Sequence, residues 1–330
     1  MALTDLTNQD VALPEIWAKD LLIEAEKRMF WTDYEGSQGS GMPIIRKDEL
    51  NKAPGDTIRI ITMSNLTGSG QTGDTANLTG NEEALSIDEI VVNLGIKAHA
   101  VKFTKYANQQ SVVELRTASK MRLAYWVADR LDQSAFVTLT GSATFNLYGG
   151  TATTDGTLAT GDAFDTTALN KIKAKLVDNR ALPIKIDDGE EWFITVIHPF
   201  NGYDLRADAD WQEAQREANV RGRNNPIFSG ALGVYNGMIV RESHNVPFSN
   251  VNSTSGGEGG IGTGTVNVSY PVAFGGEAMA RAYGQYPSFL EEFKDYGRKH
   301  GVGTDVVFGD KIAVQSNLVV GHYWAEDPNA

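Results

Sequence analysis

The stretch that most constrains this chain is Ser111 to Thr140, SVVELRTASKMRLAYWVADRLDQSAFVTLT, which runs without a proline or glycine. Ser111 followed three residues later by Glu114 reads as a capping box, the hydroxyl taking an orphan amide and the carboxylate reaching back. Gly141 reads as the stop, because glycine enters the left-handed position beyond a helix end without penalty. At 1.5 Å per residue the helix is roughly 45 Å long. Leu123, Val127, Leu131 and Ala135 line one face with Ala124 and Ala128 beside them, while Arg122, Asp129, Arg130 and Asp132 decorate the rest. Such a helix could simply pack a core. Its length, and the hairpin that feeds it, favour a spine carrying separate lobes.

Upstream, residues 1–13 form a polar leader, and Pro14 opens a helix predicted to run to about Trp31. Trp17, Phe30, Trp31 and Tyr34 concentrate aromatic surface there. In a self-contained domain they are core; in an arm they are anchors on an adjacent subunit. The residues alone leave both readings open. After Glu35 to Pro43, Ile44 to Leu50 is a short strand or turn, and Thr57 to Met63 (TIRIITM) is a strand. A Gly/Thr/Asn-rich loop, Ser64 to Leu85, separates it from a second long strand, Ser86 to Phe103. A compact domain rarely keeps a structureless loop of that length; as the tip of a projecting hairpin it is an interaction element. Between Thr57 and Ile96, Asp74, Glu82, Glu83, Asp88 and Glu89 face only Arg59, a net charge of −4.

Beyond the spine, Ser142 to Asp162 is a second Gly/Thr-rich segment. Asp165 caps a helix whose Leu169, Ile172 and Leu176 face inward, ending near Arg180. The Asp187-Asp188-Gly189 turn leads to a buried strand, Trp192 to Ile197, and then to a helix through Tyr203, Leu205 and Trp211. Strands are predicted at Met238 to Glu242, Val266 to Phe274, Ala278 to Tyr283 and Val306 to Asn317. Phe289 to Phe293 is a helical turn or short strand, and Asn250 to Thr265 an exposed loop. This half reads as α+β, helices flanking a sheet.

Catalytic chemistry is hard to find. The chain has no cysteine, which excludes disulfides, thiolate metal sites and thiol nucleophiles. Gly68 to Gly73 matches G-x-G-x-x-G after a strand, but a dinucleotide site also needs a helix opening at that loop. The five histidines are scattered without metal-ligand spacing, and Asp208-Ala209-Asp210 lacks the rest of a calcium loop. The expectation is a non-enzyme with no cofactor and no metal. A formal charge of −13 argues against a protein that grips DNA phosphates and suits a container wall that must not stick to nucleic acid. No apolar run has the length of a membrane span and no signal peptide is evident, so no membrane partner is expected. Arg216, Arg221 and Arg223 form one basic island, and Arg298, Lys299 and His300 another. They are either a plain surface or the complement of an acidic hairpin on a neighbouring subunit.

The order of arm, acidic hairpin, spine and α+β remainder resembles the major capsid proteins of tailed bacteriophages with the Hong Kong 97-like fold. Four runs are similar to the coliphage N-four-type capsid family: Leu78 to Leu85, Leu123 to Phe136, Ile197 to Ala218 and Asn224 to Glu242. The resemblance implies an α+β fold with an N-arm (1–43), an extended β-hairpin E-loop with its base strands (44–103) and a spine helix with a peripheral domain (104–190). The remainder (191–330) is then mainly an axial domain, with closing strands returning to the peripheral one. It implies a virion shell subunit, assembled in the host cytoplasm into hexamers and pentamers around double-stranded DNA that it does not read. Expected partners are a separate scaffold, a portal and a decoration or cementing protein. Some relatives cross-link an E-loop lysine to an asparagine, but Thr57 to Ile96 holds no lysine. Inter-subunit contacts are then expected at Trp17, Phe30, Trp31, Arg59, Asp74, Glu82, Glu83, Arg216, Arg221, Arg223, Arg298 and Lys299. Glycine-rich hinges are expected at Gly36 to Gly41, Gly68 to Gly80 and Gly149 to Gly161. A phage tail or adhesin-type module shares the Gly/Thr/Asn loops but should show β repeats in place of one spine, and a nucleotide enzyme needs a phosphate-binding Gly68 to Gly73 loop.

Overall fold

The structure is a computed structural model that describes residues 29–48, 55–63, 68–73, 77–84, 87–112, 114–186, 190–217, 232–249 and 267–325. The first strands are β1 (Glu35–Gly36), β2 (Ile44–Lys47), β3 (Thr57–Met63), β4 (Ile87–Asn93) and β5 (Gly95–Thr104). Helices α1 (Lys105–Gln110) and α2 (Leu115–Gly141) follow, then β6 (Asn146–Tyr148), α3 (Thr166–Asp178), β7 (Ile184–Ile186) and β8 (Glu190–Ile197). Next come α4 (Pro199–Ala207), α5 (Ala209–Glu217), β9 (Gly233–Tyr235), β10 (Met238–Glu242) and β11 (Phe248–Ser249). The last described strands are β12 (Val268–Ser269), β13 (Val272–Phe274), β14 (Met279–Lys294), β15 (Lys299–Ile312) and β16 (Leu318–Trp324). They build a five-stranded sheet, β1-β2-β14-β15-β5, and a nine-stranded one along β11-β12-β16-β13-β8-β10-β9, with β6 on β16 and β7 on β8. Among the described strands, β3 and β4 pair only with each other.

The spine, α2, joins the two large sheets. Its stretch up to Leu131 packs Leu123, Val127 and Leu131 on Tyr283, Phe289, Val302 and Phe308 of the five-stranded sheet. Its second half packs Ala135, Phe136 and Leu139 against Ile194, Val196, Phe274 and Val320 of the nine-stranded sheet. The other face of that sheet is covered by α3 to α5, with Leu169, Ile172, Leu176, Leu205 and Trp211 meeting Ile197, Met238 and Val240.

The spine starts four residues later than expected. Ser111 is the C-cap of α1, its N–H bonded to the Ala107 carbonyl at 3.0 Å, so its amide is not available to the predicted box. Glu114 is the N-cap; its carboxylate accepts from Thr117 Oγ1, and Asn108 Oδ1 takes the Leu115 amide. Gly141 ends the helix in an ordinary conformation, not as a left-handed residue past the end. At 27 residues α2 is about 40 Å long. Asp132, read as surface decoration, is buried.

The predicted strand Ser86 to Phe103 breaks at Leu94, whose amide bonds the Asp56 carbonyl, and β5 turns away to pair with β15. Ala278 to Tyr283 and Phe289 to Phe293 belong to one strand, β14, which pairs with β15 around a turn at Asp295 to Arg298. The pairing slips between Tyr283 and Ser288. Gly284 and Pro287 in that interval hide the continuity, because both normally interrupt a strand. β16 was not anticipated. It is buried almost throughout, so it lacks the alternation that marks a half-buried strand.

Asp165 caps α3 as expected, its Oδ1 accepting the Ala168 amide at 2.7 Å. The single helix predicted through Trp211 is two, divided at Asp208, whose Oδ2 takes the Thr166 hydroxyl and amide. The segment expected to hinge at Gly149 to Gly161 is packed: β6 pairs with β16, Leu158 is buried, and Asp162 Oδ2 holds the Ala159 amide at 2.8 Å. β5 belongs to the sheet on which the spine packs, and α3 and β7 lie on β8's sheet. The Pro14 helix before Met29, the 187–189 turn and the 250–265 loop lie outside the described residues.

Candidate assembly surfaces

The N-terminal aromatic group is the chain's own core. Trp31 has no exposed surface and meets Phe136 at 4.9 Å and Phe274 at 5.3 Å between ring centroids. Phe30 lies 5.9 Å from Phe136, and Tyr34 is pushed up to about 12 by burial. This corrects the reading of Trp31 as an inter-subunit anchor, because a ring sealed in its own core has nothing to offer a neighbour. Residues 31–34 form a 3-10 turn in place of the expected helix end.

Behind this turn lies a buried ionic cluster. Arg281 is fully buried in β14; its Nε donates to Asp310 Oδ1 at 2.8 Å and its Nη1 to Glu35 Oε1 at 3.1 Å. Its Nη2 donates to the Leu131 carbonyl of the spine at 2.7 Å. Arg46 donates to the other Glu35 oxygen at 3.3 Å and to Tyr286 OH at 2.9 Å. On the spine, Asp132 Oδ2 accepts the Phe30 amide at 2.8 Å. Burial pushes Asp132 up to about 6, against the pull of the Phe30 amide and the Arg281 charge. Burial raises Glu35 as well, opposed by Arg281 and Arg46. None of Glu35, Arg46, Arg281 or Asp310 stands out by motif. The available signal was an arginine in the otherwise apolar run MARAY, since a buried arginine must be paired.

The β3–β4 hairpin has a fixed base and an open outer face. Ile58, Ile60 and Val92 pack on Ile45, Ala280 and Ala282, on the face of the five-stranded sheet opposite the spine. Each such side chain contributes roughly 1.5–3 kcal/mol of burial. Ile61 and Ile87, on the other face, are each 62% exposed. Arg59 bridges Glu89 across the pair at 3.0 Å, so its charge is engaged within the chain. At the tip Glu83 Oε2 takes the Gly68 amide and Glu82 Oε2 the Gly80 amide, both at 2.7 Å. These carboxylates therefore shape the loop they charge. No helix opens within residues 77–84, so Gly68 to Gly73 lacks the helix N-terminus a pyrophosphate needs.

The second basic island sits at the turn of the β14–β15 hairpin. Thr104, Lys105, Tyr106, Gln109, Asp295, Arg298 and Lys299 line an open cleft of about 480 Å³. Lys299 pairs with Asp295 at 3.5 Å, and the Arg298 carbonyl holds the Lys105 amide at 2.8 Å. Tyr296 projects fully into solvent beside it. Arg216 is on α5, over the other large sheet, with its Nε on the Gln212 carbonyl at 3.2 Å. Arg216 and the second island thus lie on different sheets. Trp17, Asp74, Arg221 and Arg223 lie outside the described residues.

His198 caps α4, its Nδ1 accepting the Phe200 amide, and its ring stacks on Phe248 at 5.1 Å. Burial, helped by His244, pushes it down to about 4. No cluster of three metal-ligating side chains occurs among the described residues, and among them no helix is long and apolar enough to cross a membrane.

A spine bridging two sheets, with one hairpin packed across the first, is an arrangement with known counterparts. The capsid of Ralstonia phage GP4 superposes with a TM-score of 0.75 at 23% identity, over 92% of this chain and 93% of that one. The capsid of cyanophage Pam1 gives 0.73 at 23% identity, over 91% and 93%. In sequence, the chain is 29% identical over 342 residues to the major capsid protein of Pseudomonas phage KPP25, across 92% of this chain and 89% of that protein. The profile of the phage capsid protein family matches residues 6–148 and 142–321. The chain is therefore a member of the phage capsid protein family, with the Hong Kong 97-like α+β fold.

Proposed function

We propose that this chain is the major capsid subunit of a tailed phage, closing into hexamers and pentamers of an icosahedral head shell around double-stranded DNA. The observation that carries the reading is the spine bridging both sheets, with the β3–β4 hairpin held at its base and open along its outer face. A body of this kind keeps its shape while hairpin and turn surfaces meet neighbours, and head-to-tail contacts that close by rotation make rings. The role is structural and not enzymatic, and assembly takes place in the host cytoplasm. A scaffold, a portal and a decoration or cementing protein are the partners this reading implies.

Within it, the acidic β3–β4 tip of one copy meets the basic β14–β15 turn of the next, Asp74, Glu82 and Glu83 facing Arg298 and Lys299. Arg216, Arg221 and Arg223 offer a second basic surface, and Trp17 and the partly exposed Phe30 an apolar one. The experiment is electron microscopy with sedimentation of the protein expressed alone. Closed shells, or rings of five and six, support the reading. A monomer moves the same experiment to co-expression with neighbouring phage genes, and a monomer there as well ends it.

A further inference from the structure

Residues 29–36 are held on the rest of the molecule by charge as well as by aromatic packing, and the charges do not balance. Three carboxylates are buried together: Glu35 on the segment, Asp132 on the spine and Asp310 on β15. Two guanidiniums face them, Arg281, fully buried, and Arg46, about a third exposed. Arg281 is committed to Asp310 through two nitrogens and to Glu35 through a third contact. Arg46 divides itself between Glu35 and the more exposed Asp48. Asp132 takes the Phe30 amide, a neutral donor, and feels the Arg281 charge more strongly than that of Asp129, a like charge that opposes its ionisation. Tyr283 and Tyr286 complete the surroundings and, with burial raising both, stay neutral. One negative charge is left without a buried cation, and a low-dielectric site resolves such an excess by binding a proton.

We propose that docking of residues 29–36 onto the spine is coupled to uptake of a proton by this carboxylate cluster, with Asp132 the group that receives it. Lifting the segment removes the Phe30 and Trp31 backbone from Asp132 and returns the carboxylate to water, where it ionises freely. Mild acid therefore fastens the segment and neutral pH loosens it. The burial that raises Asp132 to about 6 is the same effect seen from the titrating group. This coupling belongs to the single chain and needs no shell, so its failure would leave the capsid assignment standing.

The test is hydrogen–deuterium exchange of the full chain at pH 5 and pH 7, corrected for the intrinsic exchange rate at each pH. The opening constant of peptides spanning 29–36 is expected to be roughly tenfold larger at pH 7 than at pH 5. Peptides from α3 serve as the reference. In Asp132→Asn the amide oxygen still accepts from Phe30, and the tenfold difference should vanish. If that variant does not fold, Glu35→Gln serves instead. It leaves Arg281 to fewer carboxylates, so the pH response should move to lower pH. An opening constant in the wild type that is flat or falls with pH, or an unchanged response in either folded variant, overturns the proposal.

Discussion

Asp132 and His198 titrate in opposite senses through one pH window. Asp132 rises from 3.8 to about 6 on folding, so the native state binds the extra proton and the stability it contributes grows as pH falls through 6. His198 falls from 6.5 to about 4, so the unfolded state binds the extra proton and stability is lost as pH falls from 6.5 towards 4. Glu35, raised, adds to the first trend, and His322, lowered mainly by burial, adds to the second. Urea midpoints between pH 4.5 and 6.5 should therefore shift towards a rise with pH in Asp132→Asn and towards a fall in His198→Asn, relative to the wild type. Coincident profiles for the two variants would contradict both assignments. At Arg281 the expected effect is larger and is greatest at neutral pH, where the carboxylates it leaves behind are ionised. Arg281→Ala strands two buried carboxylates and should cost about 3–5 kcal/mol, read as a drop in the denaturation midpoint.

At the scale of elements, the hairpin and the sheet beneath it meet through small residues. A Cβ at Gly309 would fall inside the van der Waals shell of the Asn93 carbonyl oxygen, and Ala280 and Ala282 are the side chains under Ile58 and Ile60. Gly309→Val should lift the hairpin base without disturbing the spine, which packs on the opposite face of that sheet. Exchange protection of 57–63 and 87–93 is then lost while that of 115–141 is kept; equal loss in both would mean general unfolding. The spine illustrates what local pattern conveys. Its apolar face, Leu123 to Ala135, was legible from spacing because a helix repeats its core contacts every three to four residues. Its start was not, because Ser111 had two helices to choose between and the choice was made by α1. The continuity of β14 was hidden in the same way: Pro287 sits where the pairing slips, and only the partner strand shows that the two halves are one.

For the whole molecule, the distribution of charge matters more than its total of −13. Glu82 and Glu83 each hold an amide of their own loop, while Arg298 and Lys299 crowd the far turn of a long hairpin. If these surfaces meet between copies, Arg298→Glu with Lys299→Glu should abolish ring or shell formation while leaving the thermal midpoint of the isolated subunit nearly unchanged. Wild-type assembly should also weaken as salt rises from 0.05 to 0.5 M, since the screening length shortens to roughly 4 Å. Sedimentation reads both outcomes. Normal shells from the doubly reversed variant would remove this turn from the interface.

The sequence by itself determined the spine's core face, the β3 and β10 strands, the cap at Asp165 and the acidic character of the hairpin. All of these follow from periodicity, capping chemistry or composition within a few residues of chain. Only the tertiary structure decided that Trp31 is core, that β5 leaves the hairpin to join β15, and that Asp132 is buried under Phe30. It also decided that Arg281 gathers Glu35, Asp310 and the spine into one cluster. These depend on pairs 29 to 246 residues apart in the chain, and which of several chemically acceptable partners a side chain takes is settled by packing.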